Sequence, residues 1–265
     1  MRRIIAHLSD LHFGRVDPAT LDPLIEAVQA LEPDVVAISG DLTQRARRAE
    51  FEEAKRFLAH LPQPLVVVPG NHDVPLRNPY SRFVSKWSRY REYIGDELEP
   101  SYVDEAIAVI GVNTARALTW KGGRINGRQI ERVRERLCEI GPAKLKALVV
   151  HHPLDLPIEW KRQDRAWRAR RAFEAWAGCG VDLILAGHMH VAFAGAEAAL
   201  LSIGGHRAVV VQAGTAISTR GRGEPNSFNS IETDSASIRV ARHSWDEEAS
   251  IFRTTHESEF ERSPS

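Results

Sequence analysis

Residues 65–73, Leu65-Val66-Val67-Val68-Pro69-Gly70-Asn71-His72-Asp73, set four apolar residues before a turn and three side chains rich in lone pairs. The run is short, apolar throughout and closed by Pro69 and Gly70, the signature of a buried strand that ends in a sharp turn. The same arrangement recurs on both sides. Residues 4–9 run into Asp10-Leu11-His12 and residues 35–39 into Gly40-Asp41. Further on, residues 145–150 lead into His151-His152-Pro153, and residues 181–186 into Gly187-His188-Met189-His190. Helical patterns separate the first three runs: Leu21, Leu24, Ile25, Val28 and Leu31 over 20–31, then Phe51, Ala54, Phe57, Leu58 and Leu61 over 50–61. This is βαβαβ with units of about 30 residues, the length a parallel crossover needs. Strands apolar on both sides predict cover on both faces.

The rest of the chain extends the pattern. Residues 107–112 form another strand, 126–140 and 165–177 two more helices. Short runs at 199–203, 208–212, 230–233 and 237–240, joined by tight turns, predict a second, more antiparallel sheet. The fold class expected is α/β, two mixed sheets flanked by helices. One domain spans 1–253, and residues 254–265 form a polar, frayed tail. Residues 82–98 are an inserted helical segment with an aromatic stripe of Phe83, Trp87, Tyr90, Tyr93 and Ile94. Packing on the body is its plainer meaning; a lid over the site or an interface in a homo-oligomer is the sharper one.

Composition removes several classes. In 265 residues, 43% are hydrophobic and 26% charged, ordinary globular usage that excludes disorder. Thirty-five basic residues balance thirty-five acidic ones, which argues against dedicated nucleic-acid binding. The two cysteines, Cys138 and Cys179, predict free thiols in a reducing compartment. Met1-Arg2-Arg3 lacks the apolar stretch of a signal peptide behind it, and no window nears the roughly 20 apolar residues of a spanning helix. A soluble cytoplasmic protein is the expectation.

The polar clusters carry the function. Six of the eleven histidines lie in them. In parallel α/β sheets, sites lie beyond the carboxyl ends of strands, so five strand ends converge. Imidazole, carboxylate and amide oxygen without thiolate suit Zn, Mn, Fe or Co. Two aspartates, one asparagine and four histidines exceed one tetrahedral shell and suit two divalent ions sharing a carboxylate, the arrangement used for in-line displacement at phosphorus.

Asp10-x-His12, Gly40-Asp41, Gly70-Asn71-His72-Asp73, His151 and Gly187-His188-x-His190, in this order, resemble the calcineurin-like metallophosphoesterase superfamily. The compact size and His151-His152-Pro153 resemble its bacterial class III cyclic-nucleotide phosphodiesterases and glycerophosphodiesterases. The resemblance implies a four-layered αββα sandwich. It implies one metal on Asp10, His12, Asp41 and His190, a second on Asp41, Asn71, His151 and His188, and a metal-bridging hydroxide that attacks phosphorus. It implies that His72 stabilises the transition state or assists the leaving group, with Asp73 orienting it.

Weaker candidates surround this set. His152, Asn113 and Arg116 are candidate substrate contacts. His7 lies inside a strand and is a core histidine; His206 could reach the site from a loop. The loop Arg220-Gly221-Arg222-Gly223-Glu224-Pro225-Asn226 is a mobile turn or an anion contact, the turn being preferred. The basic stretch 161–171, with Trp160 and Trp167, is a solvated helix face or a surface for anions. The leading function is hydrolysis of a small phosphodiester, a cyclic nucleotide or a glycerophosphodiester. The alternative is a UDP-diacylglucosamine pyrophosphate hydrolase of lipid A synthesis, the one enzyme reading that includes membrane contact. A repair-type DNA nuclease is disfavoured by the zero net charge. A non-catalytic scaffold is disfavoured because every ligand position is filled.

Overall fold

The computed structural model describes residues 1–75, 84–116, 122–154, 165–192, 200–203 and 206–262, with the side chains of 200–203, 206 and 207 left aside. The expected βαβαβ unit is present as β1 (Arg3–Leu8), α1 (Pro18–Ala30), β2 (Val35–Ile38), α2 (Arg48–Leu58) and β3 (Leu65–Val67). The three strands pair in parallel. Both helices start where the chain satisfies their free N–H groups. The Asp17 side chain accepts from Ala19 N at α1, and the buried Glu50 carboxylate accepts from Arg45 N and Arg47 N at α2.

A second sheet follows α3 (Ser88–Tyr93). Its members are β4 (Ser101–Val103), β5 (Ile107–Val112), β6 (Leu145–Val150), β7 (Leu183–Ala186), β8 (Leu200–Ile203) and β9 (His206–Gln212), in the order β4-β5-β6-β7-β9-β8. Strands β5, β6, β7 and β9 are parallel, and the two edges are antiparallel. Helices α4 (Gly127–Glu139) and α5 (Ala169–Ala177) cover its outer face.

The late strands do not build that sheet as the sequence suggests. β10 (Ser227–Thr233), β11 (Ser237–Asp246) and β12 (Ile251–Glu261) return to the first sheet, which runs β12-β11-β10-β1-β2-β3. β10 pairs antiparallel with β1, so it covers the edge of β1 that β2 leaves open. Register places Ile231 opposite Ile5 and Val240 opposite Ile231, and all three join the core between the sheets. That aliphatic layer also holds Val35, Val66, Val109, Val149, Leu185 and Val211. Separate cores bind α1, α2 and α3 to the first sheet, and α4 and α5 to the second. The layers run αββα.

Two further expectations are corrected. Residues 254–261 are not a frayed tail but most of β12, an edge strand hydrogen-bonded along β11. An edge strand with one solvated face needs no apolar alternation, which is why composition missed it. Arg262 then anchors the strand end across the sandwich: its Nε lies 3.0 Å from Asp182 Oδ1, and its Nη2 donates to Lys144 O at 2.7 Å. Both ion-pair side chains are nearly buried, at 8% and 4% exposure. Breaking such a pair leaves a buried charge uncompensated, so Arg262→Ala is expected to cost about 3 kcal/mol in urea unfolding. A loss within error of zero would mean that the clasp is inert.

Where it is described, the aromatic segment 82–98 packs on the body, the plainer of its two expected meanings. Trp87 and Tyr90 are buried, Phe51 of α2 stacks on Tyr93, and Tyr90 Oη donates to Val67 O at 3.0 Å. Residues 82 and 83 lie outside the described residues. Cys138 and Cys179 are joined in a disulfide, not free; the packing of α4 against α5 brings their Cα atoms to 4.8 Å across 41 residues of sequence. The inference from free thiols to a reducing compartment therefore lapses. Among the described residues no helix is long and apolar enough to cross a membrane.

Candidate metal centre

Five strand ends, three from the first sheet and two from the second, meet at one edge of the sandwich. Asp10 and His12 follow β1, Asp41 follows β2, Asn71 and His72 follow β3, His151 and His152 follow β6, and His188 and His190 follow β7. The backbone there is held in an unusual shape. Asp10, His12, Asp41, His188 and His190 all have positive φ, from 48° to 76°. Non-glycine residues in that region are strained, and strain of this kind gathers where a site must hold its side chains in place. Two glycines are demanded by close approach. A Cβ on Gly70 would fall on the Asp41 carboxylate, and one on Gly187 would fall on Ser9 Oγ and lie 2.8 Å from Asp10 Oδ2.

Two groups of donor atoms result, each within 4.8 Å of one another: Asp10, His12, Asp41 and His190 in one, His151, His152 and His188 in the other. In the first, His190 Nε2 is 3.2 Å from both Asp10 Oδ1 and His12 Nε2. His12 Nε2 is 3.6 Å from Asp10 Oδ1 and 3.7 Å from Asp41 Oδ2. In the second, His151 Nε2 is 3.0 Å from Asn71 Oδ1 and 3.4 Å from Asp41 Oδ1. Asp41 thus lies between the groups, with one oxygen toward each.

The site fits divalent cations. Asp10 Oδ1 and Asp41 Oδ2 are buried and accept no hydrogen bond, a costly state for carboxylate oxygens unless a cation faces them. Their other oxygens are oriented by donors: Ser9 Oγ and His188 N on Asp10 Oδ2, His72 N on Asp41 Oδ1. The imidazoles are oriented too. His151 Nδ1–H donates to Ser39 O at 2.7 Å and His190 Nδ1–H to Arg220 O at 3.1 Å, which turns each Nε2 into the cluster. The field agrees. Burial opposes ionisation of Asp10 and Asp41, but His190 beside the first and His151 beside the second hold both carboxyls well below the usual range. Burial works against a charge on His151, yet Asp41 raises it to about 9; burial, with His151 adjacent, pushes His188 down to about 3.

The remaining candidates separate. Asp73 does not orient His72. Its carboxylate accepts from Gly70 N, Leu42 N, Thr43 N and Thr43 Oγ1, tying the loop after β3 to that after β2. Burial, then the charge of Asp41, raises it to about 6. His72 is oriented instead by Gln44 O, 2.8 Å from Nδ1, and by Arg220 Nη1, 3.0 Å from Nε2. Arg220 is the residue that sequence reasoning passed over in preferring a mobile turn. Its loop follows β9, and the strand-end rule that found the others would have found it. Asn113 and Arg116 shape the loop after β5: Asn113 Oδ1 accepts from Ala115 N, and Arg116 donates to Asn113 O, Ala115 O and Gln129 Oε1. His152 is fully buried, its ring 4.6 Å from that of His188 and its Nδ1 2.9 Å from Thr114 Oγ1. His7 is a buried core histidine bonded to Ser39 Oγ. In the basic stretch, Trp167 is half exposed, with the guanidinium groups of Arg124 and Arg168 each within 4.5 Å of its ring centre. Residues 160–164, 204 and 205 lie outside the described residues.

The model of the calcineurin-like phosphoesterase family matches residues 4–192, and the chain belongs to that family. It is 26% identical over 187 residues to the uncharacterized protein YpbG of Bacillus subtilis, a match that covers 70% of this chain and 60% of that protein. It is 28% identical over 201 residues to a probable cyclic nucleotide phosphodiesterase of Synechococcus, covering 71% and 74%. Among solved structures, purple acid phosphatase PPD1 from yellow lupin shares the fold, with a TM-score of 0.72 over 99% of this chain and 54% of that one at 13% identity.

Proposed function

We propose that the protein is a phosphodiesterase that uses two divalent ions to hydrolyse a small phosphodiester, a cyclic nucleotide or a glycerophosphodiester. One observation carries the reading: two buried, hydrogen-bond-free carboxylate oxygens, Asp10 Oδ1 and Asp41 Oδ2, face His12 and His190, while the other oxygen of Asp41 faces His151. The family and the phosphodiesterase among the relatives support it. Bound ions would neutralise the phosphoryl oxygens and supply a water nucleophile at neutral pH. Asp10, His12, Asp41 and His190 would hold one, and Asp41, Asn71, His151 and His188 the other. The chain itself orients these ligands through Ser9, Ser39 and the backbone of Arg220. Of the two parts that would face lipid under the lipid pyrophosphate alternative, the aromatic stripe has Trp87 and Tyr90 buried, while Trp167 of the basic stretch is half exposed.

The test sets bis(p-nitrophenyl) phosphate beside p-nitrophenyl phosphate with Mn²⁺ added. The expected result is a preference for the diester of at least about tenfold in kcat/KM, or roughly 1.4 kcal/mol in transition-state stabilisation. Preference for the monoester would make the protein a phosphatase.

A further inference from the structure

Arg220 is a half-buried guanidinium with no carboxylate partner among the described residues. Its Nη1 is 3.0 Å from His72 Nε2 and 3.4 Å from Gln44 Oε1. Its own carbonyl takes the Nδ1–H of His190, so the residue is fixed at both ends against the metal centre. His72 in turn stands edge-on to His12, ring centres 5.0 Å apart.

Donor and acceptor roles here follow from chemistry. Arginine only donates. His72 Nε2 must therefore accept, and its proton sits on Nδ1, directed at Gln44 O. In that state Nε2 has no hydrogen to give to a leaving group. The guanidinium, by contrast, has five N–H donors, of which these two contacts use one nitrogen. The acidic charges that face Arg220 are those of Asp41 and Asp10, and the basic ones those of Arg15 and Arg222. Divalent ions on those carboxylates would cancel that attraction, and the guanidinium would then need an anion.

We propose that Arg220 is the side chain that grips a phosphoryl oxygen of the substrate, and that His72 is the positioning residue that aims it, not a proton donor. The inference rests on the phosphodiesterase reading and names its anion contact. In the hydrolysis the water oxygen bonds to phosphorus and gives up a proton to solvent, the P–O bond to the leaving group breaks, and the leaving oxygen takes a proton from solvent.

Glutamine separates the roles, because its amide oxygen can accept from Arg220 but cannot act as an acid. With metal content verified per chain, His72→Gln should lower kcat by less than about tenfold and Arg220→Ala by about 100- to 1,000-fold, the range for one transition-state donor. Inorganic phosphate, titrated calorimetrically into the metal-loaded protein, should bind at least about tenfold more weakly to Arg220→Ala and nearly as in the wild type to His72→Gln. Nitrogen NMR of the metal-free wild type should show His72 protonated on Nδ1 and bare on Nε2. Arg220→Lys, which keeps the charge and loses the fork, should fall between the wild type and Arg220→Ala. Unchanged phosphate affinity in Arg220→Ala, or loss of turnover in His72→Gln as deep as in His72→Ala, would overturn the proposal. The phosphate titration stands even if no diester proves to be a substrate, so the two readings fail separately.

Discussion

Asp41→Asn is expected to leave a folded protein that has lost its hold on both ions, with metal affinity down by more than about a hundredfold. Removing a group that merely orients a ligand costs about 10- to 100-fold in affinity, so removing a ligand shared by two ions costs more. The geometry explains why asparagine is no substitute. Asp41 Oδ1 accepts from His72 N at 2.8 Å and faces His151 Nε2, while Oδ2 is buried, accepts nothing and faces His12 Nε2. An amide keeps one oxygen. Its NH₂ must then point either at the backbone N–H of His72 or into a cluster of lone pairs that await a cation, and the charge is gone in both cases. Metal content by mass spectrometry and turnover of the diester should fall together, while the unfolding transition of the apo-protein stays cooperative. Two ions per chain at wild-type affinity would show that Asp41 is not shared.

Gly70→Ala should be nearly as damaging although it changes no ligand. The added methyl would coincide with the Asp41 carboxylate and its backbone nitrogen. Gly70 cannot withdraw freely, since its N–H is bound to Asp73 Oδ2 at 2.9 Å and Asp73 also holds Thr43 and Leu42. The loops after β2 and β3 would have to part. Overpacking of this kind costs about 1–3 kcal/mol, and here the displaced group is the central carboxylate. The expected outcome is a lowered unfolding midpoint together with loss of metal. Gly141→Ala, at a position with open space around it, should change neither. A Gly70→Ala protein with full metal content would mean that the loops give way more easily than their hydrogen bonds indicate.

The strand ends that carry the candidate site were legible in the sequence, as was the class of the fold. Asp10, His12, Asp41, Asn71, His151, His188 and His190 lie beside apolar runs whose direction fixes where their ends go, and the structure gathers all seven. The boundaries of β5 and β6 fell at the expected residues because both faces of those strands are buried and the run is apolar from end to end. β4, with exposed Ser101 and Val103, and β12, in which Phe252 and Phe260 are the apolar side chains that reach a core, are edge strands. Their pairing comes from backbone hydrogen bonds, which leave little trace in composition. Arg220 and Asp73 were misjudged for another reason. Their roles depend on what stands opposite them, His72 in one case and the backbone of Gly70, Leu42 and Thr43 in the other, and such long-range meetings have no local signature. The pairing of Cys138 with Cys179 depends likewise on how α4 and α5 lie together.

The donor atoms bridge the two sheets. His190 from the second sheet completes Asp10, His12 and Asp41 of the first, and Asn71 and Asp41 from the first meet His151 and His188 of the second. An ion held there fastens two layers that otherwise touch through aliphatic side chains. Binding only to the assembled form adds to its stability by mass action, about 2.7 kcal/mol for a site at a hundredfold excess over its dissociation constant. With ions bound there, metal supply would set how long the chain stays folded as well as how fast it works.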